Sequence, residues 1–142
     1  MLKQNAADGR ATAIAGGGSD LVGLVKEHLV APGVLINLKT IPSLDRVTSN
    51  AGGVTIGVLI TLDALSRQPL SRSRYAVLAQ AGESVATPQI RNGATLAGNV
   101  CQRPWCWCFR NGFPRPKNGG TTCYSVSGEH QFVMPSSARG LA

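Results

Sequence analysis

Ala15-Gly16-Gly17-Gly18-Ser19-Asp20-Leu21 stands between two segments of different periodicity, and that placement decides how the chain reads. Upstream, Ala11 to Ala15 is a short apolar and β-branched run, the pattern of a buried strand. Downstream, Leu21, Val22, Leu24, Val25 and Leu29 recur at helical spacing, and Ser19 or Asp20 can cap the helix they define. Pro32-Gly33 breaks the chain, and Val34 to Leu38 reads as a second strand. A strand, a glycine turn and a helix N-terminus form a ready anion site. Unpaired N–H groups point outward there, and the helix dipole favours negative charge. Glycines also let phosphate oxygens approach the backbone. The segment is neither the spaced G-x-G-x-x-G of a Rossmann fold nor a phosphate loop ending in Gly-Lys-Ser/Thr. By physics alone a plain turn fits three glycines equally well. The Asp20 carboxylate suits a pyrophosphate only if it caps the helix or binds hydroxyls.

Further along, Ile41 to Leu44 reads as a turn into a short hairpin, with turn residues Asn50 to Gly53 and a return strand from Val54 to Ile60. Thr61 is placed to cap a short helix through Asp63, Ala64 and Leu65, which Pro69 ends. Tyr75, Leu78, Ala79, Ala81 and Val85 give Tyr75 to Ala86 helical spacing, with Tyr75 and Leu78 in the core and Thr87-Pro88 as its stop. Gln89 to Arg91, Ala94 to Leu96 and Gly98 to Val100 suggest short strands joined by tight turns, and the chain is loop-like from Cys101. The expected architecture is α+β: a small parallel βαβ unit, then a second αβ segment, with a soft boundary near Leu44 to Thr48.

A length of 142 residues suits one small domain or two subdomains sharing a core. The net charge of +7 admits a nucleic-acid partner. The basic residues from Arg67 to Lys117 are scattered, however, and interleave poorly with aromatics, so a basic surface or one facing an acidic subunit is the preferred reading. No apolar run approaches the roughly 20 residues of a membrane span. Met1 to Arg10 lacks the apolar core of a signal peptide, which weakens disulfides as the reason for the four cysteines.

The same residues carry a resemblance. Ala15 to Leu21, followed by a helix, resembles the first flavin loop of the molybdopterin dehydrogenase FAD-binding domain, the flavoprotein of the xanthine dehydrogenase and aldehyde oxidase type. Val34-Leu35-Ile36-Asn37-Leu38 resembles that family's second strand, Gly53-Val54-Thr55-Ile56-Gly57 its G-x-x-I-G strand, and Thr61 to Leu65 the helix after it. Gln89-Ile90-Arg91-Asn92-Gly93-Ala94-Thr95-Leu96-Ala97-Gly98-Asn99 resembles its Q-I-R-N-x-A-T-x-G-G-N signature, with Ala97 where the family has Gly. The resemblance implies a PCMH-like FAD-binding fold of two small α/β subdomains, with FAD between them. The cofactor would be held by Ala15, Gly16, Gly17, Gly18, Ser19, Asp20 and Leu21, and by Thr95, Ala97, Gly98, Asn99 and Val100. Thr95 offers a hydroxyl, Gly98 a backbone N–H, and Asn99 both a donor and an acceptor, so two neutral loops could clamp a pyrophosphate without Lys or Arg. Ala97 adds a methyl group at a close approach, which is expected to weaken flavin binding. No acid–base pair or nucleophile asks for a role; the implied part is to bind, orient and tune the cofactor. The implied assembly is an oxidoreductase heterotrimer with a molybdenum-cofactor subunit and a [2Fe-2S] subunit, relaying electrons through FAD to an acceptor. It would be cytoplasmic unless exported with a partner, with no nucleic-acid or membrane partner.

Cys101, Cys106, Cys108 and Cys123 could hold a [4Fe-4S] cluster or zinc, but their spacing is neither paired C-x-x-C nor a ferredoxin run. Free or structural thiols fit equally well. One branch of these FAD subunits, in bacterial aldehyde oxidases, carries an insertion Q-R-x-x-C-W-Y-F-R … C-x-K-x-G-G … C-Y-x-x-x-G-E that binds an additional cluster. Gln102-Arg103, Cys106-Trp107, Phe109-Arg110, Lys117, Gly119-Gly120, Cys123-Tyr124 and Gly128-Glu129 resemble it. Arg115 stands at the middle cysteine and Cys108 at the tyrosine, so the expectation is cluster-type sequence that binds a cluster poorly or not at all. Trp105 and Trp107 could cover a cluster or flavin, or simply pack. His28 reads as a helix-surface residue, and His130 has no role.

These readings divide the chain into residues 1–10 outside the family, 11–45 and 46–132 as two FAD-binding subdomains with a Cys-rich insertion at 101–123, and 133–142 as a frameshifted tail. Relatives continue after Phe132 with His-Ala-Ile-Phe-Gly. Codons GTC ATG CCA TCT TCG for Val133 to Ser137 contain CAT GCC ATC TTC G one frame over. The fold is accordingly expected to be incomplete. The alternatives are a non-enzymatic Cys-rich metal-binding or interaction module, a non-functional pseudogene product, or a basic nucleic-acid binder.

Overall fold

The computed structural model describes residues 11–123. Residues 1–10 and 124–142, including His130 and the tail 133–142, lie outside the described residues. The chain divides into two compact units, one ending at Gln102 and the other beginning at Arg103.

The first unit opens with the expected βαβ arrangement. Strand β1 (Thr12–Ala15) pairs in parallel with β2 (Val34–Asn37), Thr12 opposite Val34 and Ala15 opposite Asn37, and helix α1 (Ser19–Lys26) connects them. The helix starts differently from the sequence reading. Neither Ser19 nor Asp20 is the cap; Gly18 is, in the left-handed region at φ 79°, and no side chain caps the helix. Glycine adopts that conformation at little cost, so the three-glycine turn can enter the helix one residue earlier. Ser19 and Asp20 become first-turn residues, where the Asp20 charge complements the helix dipole. His28 is exposed.

A hairpin follows, with β3 (Val47–Asn50) antiparallel to β4 (Gly53–Ile56) and Asn50 opposite Gly53. The return strand ends at Ile56 and not at Ile60. Leu59 and Ile60 are both buried, which a strand covered on one face would not allow for neighbours. The N–H groups of Gly57 and Leu59 instead donate to the carbonyls of Arg46 and Leu44.

Five short helices complete this unit. In α2 (Leu62–Arg67), Thr61 is the cap as expected, its Oγ1 accepting from Ala64 N at 3.1 Å. Pro69 ends that helix but also opens α3 (Pro69–Arg74), because a proline at the first helical position lacks only an N–H that would have no partner there. Helix α4 (Ala76–Ser84) buries Ala79 and Gly82. Tyr75 is the residue before that helix, at φ −134°, so it falls off the packed face; it is 39% exposed, and Leu78 is half-buried. The core expectation for both is corrected accordingly.

The second motif departs most from its sequence reading. Residues 88–101 form two helices, α5 (Pro88–Gly93) and α6 (Leu96–Cys101), not three short strands. Thr87 and Thr95 cap them, their Oγ1 atoms accepting from Ile90 N and Gly98 N at 3.4 Å each. A threonine followed by Pro or by a small-residue turn is a helix-start signal, and here it outweighs the glycines. Only the joint is extended. Thr95 bridges Thr61 in antiparallel fashion, Leu62 N donates to Ala94 O at 3.0 Å, and Leu96 N donates to Ile60 O at 2.9 Å. Leu59, Ile60, Leu62, Leu65, Ala79, Ala94 and Thr95 are buried together with Ser66 and Ser71.

In the second unit, α7 (Trp107–Arg110) and a 3₁₀ turn (Pro116–Asn118) interrupt the expected loop.

Candidate cofactor-binding site

Thr95 is the meeting point of the two glycine-bearing motifs. It is 1% exposed, capping α6 from the buried joint between α5 and α6. A Cβ on Gly16 would lie 2.8 Å from Thr95 Oγ1 and 3.6 Å from Leu59 Cδ2. A Cβ on Gly17 would overlap the Gly93 carbonyl oxygen and lie 2.9 Å from Ala94 Cα. The first loop therefore presses backbone to backbone against the second motif, and a hydroxyl that touches Gly16 also accepts from Gly98 N. This shifts the reason for two of the glycines. At Gly16 and Gly17, what comes close is the partner loop, whereas a Cβ on Gly18 would meet only Val22 Cγ2, at 3.8 Å.

Each site residue expected from sequence can be placed on this frame. Ala15 ends β1, Gly16 to Gly18 form the turn, and Ser19, Asp20 and Leu21 are the first turn of α1. Thr95 caps α6, and Ala97, Gly98, Asn99 and Val100 lie within that helix. Gly98 and Val100 are exposed, while Ala97 and Asn99 are half-buried. The Ala97 N–H donates to Val58 O at 3.0 Å. Sequence reasoning passed over Gly93 and Ala94, which carry the contact with Gly17, and Leu59, which backs Gly16. Their signal was present but indirect: Gly93 fills the variable position of the motif, and Leu59 follows the G-x-x-I-G strand.

A charged cleft lined by Asp63, Ser66, Arg67, Arg72, Glu83 and Arg91 shares no residue with the first loop and only Arg91 with the second motif. Its ions are mutually paired, Arg67 with Asp63 at 2.9 Å and Arg72 with Glu83 at 3.0 Å. The Arg91 side chain is spent on the carbonyls of Val85 and Ala86.

Cys106 is buried, Cys108 and Cys123 are half-buried, and Cys101 is exposed; none is in a disulfide. Among the described residues, no three side chains of His, Cys, Asp or Glu converge as metal ligands. Arg115 Nη2 donates to Cys123 Sγ at 3.6 Å. The residues present do not fit an iron–sulfur cluster, since a guanidinium lies against one of the expected ligands. They do fit a diphosphate-bearing cofactor, since an uncapped helix start adjoins the glycine turn that meets the second motif.

Residues 1–104 match the family described as "FAD binding domain in molybdopterin dehydrogenase". The match takes in the ten N-terminal residues that the sequence reading set outside it. The chain is 38% identical over 129 residues to the aldehyde oxidoreductase FAD-binding subunit PaoB of Escherichia coli (strain K12), covering 86% of this chain and 40% of that protein. It is 34% identical over 88 residues to the nicotinate dehydrogenase FAD-subunit of Eubacterium barkeri, covering 62% of this chain and 30% of that one. In three dimensions it is similar to quinoline 2-oxidoreductase from Pseudomonas putida 86, with a TM-score of 0.65, 27% identity, and 71% of this chain and 35% of that chain covered. The chain thus spans between 30% and 40% of the length of these three proteins. No helix among the described residues is long and apolar enough to cross a membrane. By family match, motif order and fold, the chain belongs to the FAD-binding domains of molybdopterin dehydrogenases.

Proposed function

We propose that this chain supplies the diphosphate-gripping part of the FAD site in the flavin subunit of a molybdenum-containing oxidoreductase. The observation that carries the proposal is the convergence of both motifs on buried Thr95. In this reading the first-turn amides of α1 donate to one phosphate, with the helix dipole adding to the attraction. The Asn99 carboxamide serves the other side, while the Gly98 amide is held by Thr95 Oγ1. Asp20 faces hydroxyls of the cofactor, because a carboxylate near a phosphate would repel it. When bound, FAD supplies the ability to accept electrons and pass them on, while the residues of this chain bind and orient it and exclude water.

The names of the relatives support a reading of the wider assembly. The aldehyde oxidoreductase and nicotinate dehydrogenase proteins are FAD-binding subunits. The proposed partners are a molybdenum-cofactor subunit and a [2Fe-2S] subunit, with electrons passing from iron–sulfur clusters through FAD to an acceptor in the cytoplasm. The aldehyde oxidoreductase type is the favoured branch, because the PaoB match covers more of the chain than residues 1–104 can supply.

Fluorescence titration of the full chain with FAD, FMN and riboflavin tests the site. Saturable quenching by FAD, with at least about tenfold weaker binding of riboflavin, is the expected result; tenfold corresponds to about 1.4 kcal/mol. Equal affinity for FAD and riboflavin would show that the diphosphate contributes nothing.

A further inference from the structure

We infer that in the second unit Arg115 does the structural work of a metal cluster, so that residues 103–123 are held by guanidinium groups and not by iron. Its Nη2 donates to Cys123 Sγ at 3.6 Å, and its Cζ lies 6.0 Å from the centroid of the Phe109 ring. The Arg115 Nε is buried and finds no acceptor among the described residues, and the residue as a whole is half-buried. The backbone closes around the same residue: Asn118 N and Gly120 N both donate to Arg115 O, at 2.7 and 2.9 Å.

A segment this short cannot bury enough apolar surface to fix its own conformation, and small folds of this kind need a staple. A second arginine and an asparagine extend the one seen here. Arg110 donates to the carbonyls of Arg103 and Pro104 and stacks 4.8 Å from the Trp105 ring centroid. Asn118 Nδ2 reaches the carbonyls of Phe109 and Phe113 at 3.1 Å each. Arginine cannot act as a ligand in place of the missing thiolate, because it stays protonated and has no lone pair to offer. Its positive charge beside Cys123 also occupies the sulfur that a cluster would require. The inference concerns the second unit and is independent of the flavin reading.

Two measurements on the full chain decide it. The first is anaerobic reconstitution of the wild type with ferrous iron and sulfide, followed by iron analysis and EPR. No stoichiometric iron and no cluster signal are expected; an intact cluster in the wild type would overturn the inference. The second is hydrogen–deuterium exchange at the Asn118 and Gly120 amides in R115M and R115K. Exchange at least about tenfold faster in R115M, with R115K intermediate, is expected if the guanidinium holds the turn. Wild-type exchange rates in R115M would remove Arg115 from its role. If R115M proves too unstable to study, the iron measurement on the wild type still stands alone.

Discussion

The βαβ layer and the helical layer of the first unit hold the two halves of the proposed site with very different grips. In the βαβ layer α1 has no fully buried residue, and Leu35 on β2 is 59% exposed. In the helical layer Leu65 is 0% and Leu62 is 2% exposed, with Thr95 packed among them. The second motif is therefore fixed by the core, whereas the first loop takes much of its position from the contact it makes with that motif. A ligand touching both would add stability mainly to the weaker layer, since whatever binds only the assembled site favours assembly.

Substitutions can break this contrast, beginning where the effect should be largest. Leu65→Ala empties the centre of the helical layer, and its expected cost of about 3 kcal/mol, out of a typical total of about 5–15, should appear as a large fall in the denaturant midpoint. Gly17→Ala forces a methyl group into the Gly93 carbonyl; a loss of about 2 kcal/mol and the loss of FAD binding are expected together in melting and titration experiments. Thr95→Val keeps the shape but removes the acceptor for Gly98 N, so about 1 kcal/mol should be lost and FAD should bind several-fold more weakly. Ala97→Gly should cost up to about 1 kcal/mol of helix stability while improving FAD affinity a few-fold, a split that separates folding from binding. At the small end, Leu35→Thr should change stability by less than about 0.5 kcal/mol, confirming that the βαβ face is thinly covered; a cost comparable to Leu65→Ala would erase the contrast.

The sequence was legible where periodicity and capping agreed. The β1–α1–β2 order, the hairpin turn at Asn50 to Gly53 and the Thr61 cap are all local signals, and they appear in the structure. It was misleading where one residue could serve two roles. Pro69 closes one helix and opens another, and Gly18 caps the helix that Ser19 or Asp20 was expected to cap. Residues 88–101 read as strands because their glycines suggested turns, yet the threonine caps and the backbone bonds of Ala94 and Leu96 to the neighbouring segment decided the outcome. The candidate site was legible as two motifs. Their junction at Gly93 and Ala94 was not, because it depends on tertiary contact between segments more than 70 residues apart.

Backbone amide NMR of the full chain during FAD titration tests the central claim most directly. The Ser19 and Gly98 amides should shift together and saturate with one common Kd, as two loops gripping one diphosphate require. Movement of one loop alone, or two different saturation curves, would contradict it.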